Sequence, residues 1–151
     1  MKTRDMLSLA ARVIVGAVLI YAGASKAAAP AEEFALVIDA YAVIPTSLTL
    51  PMAGLLPWVE LIMGWALLLG VGGRAPSSVV GSMFGLFLAA LGSVVVRGIP
   101  LPNCGCFGDA MHFTPVQAMI FDSTMLALCW AAYRGGSGPL SLDAWSERGH
   151  S

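Results

Sequence analysis

The sequence predicts an all-α membrane protein: a four-transmembrane-helix bundle with a short interfacial amphipathic helix between helices 1 and 2. Three observations carry this. Hydrophobic residues make up 58% of the chain and charged residues 11%, against the ~25% charged residues of an ordinary soluble domain, and mean hydropathy is +0.80. So few polar side chains cannot cover a water-soluble globule, and the bilayer becomes the natural solvent. Second, four apolar runs each approach the ~20 residues needed to cross ~30 Å of hydrocarbon as a helix. Third, no run shows the alternating ten-residue pattern of a membrane barrel. The net charge of −1, with no basic run interleaved with aromatics, excludes a nucleic-acid binder.

The first span is expected at Asp5–Ala24. Lys2 and Arg4 followed by apolar residues and "AGASKAAAP" resemble a secretory leader. The apolar run is longer than the ~7–15 residues of a leader core, and more spans follow, so it is read as a retained helix. The connection from Ser25 to Pro51 is too long for a turn. Within it Phe34, Val37, Ile38, Tyr41 and Ile44 recur at spacings of three and four, with Pro30 before them and Pro45 after, which gives the amphipathic helix.

The second span is expected at Met52–Val71 and the third at Ser78–Val96. Between them "GVGGRAP" (70–76) has glycines to end one helix and Pro76 to open the next. Gly81 and Gly85 form a small-xxx-small pair suited to close helix approach. The fourth span is expected at Thr114–Tyr133. Residues 1–134 then form the transmembrane domain, and residues 135–151 a polar, Gly/Ser-rich tail.

Four spans put both ends of the chain on one side. There lie Lys2, Arg4, Arg74, Arg134 and Arg148, with Arg12 close by and able to snorkel to phosphates. The opposite side has Lys26 and Arg97. Positive charge marks the cytoplasm, which implies an N-in, C-in protein of the plasma (inner) membrane. The connection "RGIPLPNCGCFGDAMHFTP" (97–115) then faces outward, to an oxidising compartment.

That connection holds Cys104 and Cys106, one glycine apart. A disulfide between them closes a ring too small to act as a staple, since stabilisation grows with loop length. Gly105 widens the backbone choice such a tight bridge needs, and strained, exposed disulfides are the labile ones. The pair points to redox exchange. Metal binding stays open, with His112 and Asp109 as further ligands, although a structural zinc site normally takes four; so does a structural role. Cys129 falls ~22 Å down the fourth span and reads as a small buried hydrophobe.

Glu60, in "LPWVELIMG", and Asp122, in "MIFDSTML", are acids inside apolar spans. Such groups are costly in lipid and normally face a partner or a cavity. With Lys26 and Arg97 at the outer helix ends, they are expected to form one cluster drawn from all four helices beneath the cysteines. It would either manage thiolate and protons or fix helix register through ion pairs.

With these residues in hand, the chain resembles the MauE/DoxX-like membrane proteins over roughly residues 10 to 133. The likeness rests on "RVIVGAVLIYAGASK", "FALVIDAYAVIP", "LPWVELIMGWALLLG" and, most specifically, "RGIPLPNCGCFG". It implies a four-helix membrane protein that supports disulfide maturation of a client beside a thioredoxin-like or disulfide-containing partner. The layout is also similar to that of the DsbB and vitamin K epoxide reductase group, four-helix bundles that pass electrons to a quinone. By that resemblance Cys104 and Cys106 are the redox pair. Those proteins use Cys-x-x-Cys and usually a second pair, whereas this chain has Cys-Gly-Cys and one further cysteine. The competing expectations are an accessory subunit of a larger membrane complex with structural cysteines, and a carrier that uses the outer cavity.

Overall fold

The computed structural model of the chain describes residues 3–72, 74–100 and 113–135. Cys104, Cys106, Asp109 and His112 lie outside these residues, as does the tail beyond 135. Five helices follow one another: α1 (Thr3–Ala27), α2 (Ala31–Ala40), α3 (Thr46–Leu69), α4 (Ala75–Arg97) and α5 (Pro115–Gly135). All but α2 are long and apolar enough to cross a membrane, and the described residues contain no strand. The expected fold class is therefore found: a multi-pass membrane protein with a short helix between its first two spans.

Prolines and glycines punctuate the helices. Pro30 and Pro45 stand at the N-caps of α2 and α3, and Pro76 sits in the first turn of α4. At these positions a missing N–H costs nothing and a fixed φ is already helical. Gly70 (φ 67°) and Gly98 (φ 64°) end α3 and α4 in the left-handed conformation. α5 opens with a capping box: the Thr114 N–H donates to Gln117 Oε1 at 3.1 Å, and the Gln117 N–H donates back to Thr114 Oγ1 at 3.4 Å.

α3 begins at Thr46, six residues before the Met52 start that the sequence suggested. Pro51 reads as a boundary, yet both Pro51 and Pro57 lie inside the helix. In hydrocarbon a break would strand several backbone groups, whereas one proline frees a single carbonyl, so the helix continues.

α1 packs antiparallel on α3 at very short range. A Cβ added to Gly16 would lie 2.8 Å from the Gly64 carbonyl oxygen, and one added to Gly23 would lie 2.8 Å from the Pro57 carbonyl oxygen. Only glycine permits backbones this close. Gly81 and Gly85, the pair singled out from sequence, do not serve this purpose. A Cβ on Gly81 would make ordinary contact with Cys129 at 3.7 Å, and one on Gly85 would meet nothing. α5 closes the bundle against α1 and α4. The core gathers Val15, Leu19, Leu67, Val80, Met83, Phe84, Met125 and Cys129; Cys129 is thus the buried small hydrophobe expected. The opposite faces carry exposed Leu55, Trp58, Ile62, Leu86, Val96 and Ile120, the outward apolar surface that a lipid-solvated bundle presents.

Candidate functional site

Lys26 lies in the last turn of α1 and Glu60 in the middle of α3. The close seating of Gly23 against Pro57 brings the two side chains together. The Lys26 Nζ donates to both Glu60 carboxylate oxygens at 2.7 Å, and both side chains are almost wholly buried. A buried charge is tolerated only with a partner at this quality of geometry. The Phe34 ring of α2 also faces the ammonium, with its centroid 5.4 Å away. This is a favourable distance for a desolvated cation.

Asp122, on α5, is 2% exposed. It shares with Glu60 the wall of a small void of about 20 Å³, closed otherwise by apolar side chains including Leu19, Phe84, Phe87 and Phe121. That is room for about one water, which needs ~10–15 Å³ and polar partners. Three of the four charged residues named from sequence therefore converge: Lys26 on Glu60 directly, and Glu60 with Asp122 across the void.

Arg97 does not join them. Its side chain turns across the end of the bundle toward the bend after α2. Nη2 donates to the Tyr41 carbonyl at 2.5 Å, Nη1 donates to the Ala42 carbonyl at 3.1 Å, and Nε donates to Ser93 O at 3.2 Å. These are the carbonyls left open where α2 ends. Ala42 has φ 49°, a conformation costly for a residue with a Cβ, and Arg97 holds the chain there. The physical reason for the separation is reach: Arg97 is exposed at the end of α4, and nearby neutral carbonyls satisfy its fork without desolvating the charge.

Arg12 is a residue whose role the sequence reading missed. It is 5% exposed and, rather than snorkelling to phosphates, its Nε donates to the Leu67 carbonyl at 3.2 Å. It thereby serves a carbonyl in the last turn of α3, where a cation also meets the negative end of the helix dipole. The signal available was its register: Arg12 lies one turn before Gly16, which faces Gly64.

The apolar face of α2 looks onto a cavity of about 370 Å³. Phe34, Val37, Ile38, Tyr41 and Ile44, the five residues whose spacing predicted the helix, all line it, together with Lys26 and side chains of α3 and α4. Among the described residues no three His, Cys, Asp or Glu side chains converge as metal ligands would.

No curated protein and no solved structure matches the chain. The family model for methylamine utilisation protein MauE matches residues 4–134, a stretch that runs from α1 into α5 and takes in both the ion pair and the Cys-Gly-Cys connection. The chain belongs to the MauE family.

Proposed function

We propose that this membrane protein carries out thiol–disulfide exchange at the outer face of the plasma membrane, through Cys104 and Cys106, in support of disulfide formation in a partner protein. The observation that carries the reading is the Cys-Gly-Cys pair in the connection between two spanning helices, α4 and α5, in a chain that also buries ionised groups in its bundle.

In the forward step a partner thiolate attacks one sulfur of the Cys104–Cys106 disulfide. A mixed disulfide forms and the other cysteine leaves as thiolate. The partner's second thiolate then attacks the mixed disulfide. The partner gains its disulfide, the pair becomes a dithiol, and two electrons have moved from partner to pair. Reoxidation needs an acceptor, either a thioredoxin-like protein disulfide or a quinone. A quinone, when bound, would supply a two-electron sink, and Lys26 offers it an N–H donor. Arg97, seven residues before Cys104, is exposed and bonded to neutral carbonyls, so its charge is available to favour the thiolate. Glu60 and Asp122 pass protons across the void they share.

The test uses single variants. Cys104→Ser and Cys106→Ser should each insert normally and trap a mixed disulfide with an outer-face partner, identified by mass spectrometry. In intact cells the reduced wild-type pair should react with a membrane-impermeant maleimide, and it should titrate as a two-electron couple well above the ~−300 mV of structural disulfides. Labelling only after lysis would overturn the topology. Misfolding of both variants, or a pair that stays oxidised under strong reductant, would leave the cysteines structural and the protein an accessory subunit.

A further inference from the structure

The cavity beside α2 is built from four elements. α2 packs against α3, and the space between that pair and α4 stays open. On α4 the lining runs from Met83 to Leu91, ~12 Å along the helix axis. Lys26 stands at the Met83 and Phe87 end, since its partner Glu60 lines a small void with both; Tyr41 and Leu91, which pack together, mark the other end. At about 370 Å³ it falls within the ~300–1,000 Å³ of small-molecule sites, which pair apolar walls with a few placed polar groups.

Two details say what kind of molecule fits. Leu86 and Val43 line the cavity yet are 71% and 53% exposed. Its mouth therefore gives onto the lipid-facing surface, and a ligand arrives from the bilayer. At the Lys26 end, an ammonium carries three N–H donors. Glu60 takes two from Lys26, and one donor remains for a ligand in the cavity that Lys26 lines beside the Phe34 ring. The charge of Lys26 is already balanced. An anionic head would compete with Glu60 and leave a buried carboxylate uncompensated, which is strongly unfavourable. A neutral oxygen acceptor meets the remaining donor without disturbing the pair.

We infer that this cavity binds a neutral, membrane-soluble molecule whose carbonyl oxygen accepts from Lys26 and whose apolar body lies along α4 between Leu91 and Met83. A quinone head and a diacylglycerol ester share this chemistry. The site stands whether or not the cysteines exchange disulfides.

Photolabelling of the full chain in phospholipid vesicles tests it, with two probes: a short-chain benzoquinone and a diacylglycerol, each carrying a diazirine tail. At least one probe should label Val37, Met52, Leu86 or Phe87 about tenfold more than Leu55 and Ile62 on the outer face of α3. An excess of the same molecule without the diazirine should remove that labelling, and the probe that succeeds identifies the source of the carbonyl. Ala90→Trp, which fills the cavity away from the ion pair, should abolish the preference. Even labelling of cavity and outer face by both probes, or preferential labelling that resists competition, would overturn the site. The competition needs no variant, so the result stands even if Ala90→Trp fails to insert.

Discussion

At the scale of single residues, Lys26 and Glu60 depend on one another more than on the bilayer. Removing one member of a buried pair leaves the other's charge without compensation, at a cost of ~3–5 kcal/mol, whereas replacing both by apolar groups is often near neutral. Glu60→Gln and Lys26→Met should therefore each lower the thermal midpoint in detergent sharply, and Lys26→Met combined with Glu60→Leu should recover most of the loss. A double variant as unstable as the sum of the singles would show that the two groups do not stabilise each other. The same logic explains why these residues were legible. An ionisable group in an apolar run stands out in sequence because lipid offers it nothing. Which partner it takes was less legible, since Lys26 and Arg97 both sit in the last turns of their helices. The choice between them was made by the seating of Gly23 on Pro57, a contact with no periodic signature.

Among the elements, α1 and α3 form the tight joint of the bundle. Introducing a β-branched side chain at Gly16 forces it against the Gly64 carbonyl, so Gly16→Val should destabilise the protein by ~1–3 kcal/mol, the usual effect of overpacking. Gly85→Ala meets open space and should hold or raise the midpoint, because alanine is the better helix former by ~1 kcal/mol; thermal unfolding of the two variants checks both. Sequence reading singled out the wrong pair. The four-residue spacing of Gly81 and Gly85 is the familiar signal, whereas Gly16 and Gly23 are two turns apart and acquire meaning only opposite Gly64 and Pro57. Helix α2 was legible because its five apolar residues keep helical spacing, and all five reach one wall. Its end was less so: Tyr41 and Ile44 lie beyond Ala40, and the bend at Ala42 brings them round to the same cavity. The start of α3 was hidden by Pro51, a boundary signal in water that loses its force in lipid.

For the whole molecule, four spans and their order followed from length and hydropathy alone, because the bilayer imposes one length on every crossing. The chemistry of the Cys-Gly-Cys connection is a different matter: no periodicity governs a polar segment between helices, and residue type is all the sequence offers there. The buried ion pair also bears on how the protein is made. Synthesis delivers α1 well before α3, so Lys26 enters the membrane with no counter-charge and Glu60 follows 34 positions later. Lys26, in the last turn of its helix, can wait with its ammonium in the headgroup layer. Glu60, in mid-helix, cannot, and unaided insertion of such an acid is opposed by ~2.5–3.5 kcal/mol. Capture of the arriving α3 by α1 removes that opposition, which makes insertion of the third helix of the chain contingent on the first. A translational arrest peptide placed behind α3 should report a pulling force as Glu60 crosses the membrane, and Lys26→Met should erase it; an equal force in both chains would mean that each helix enters the bilayer on its own.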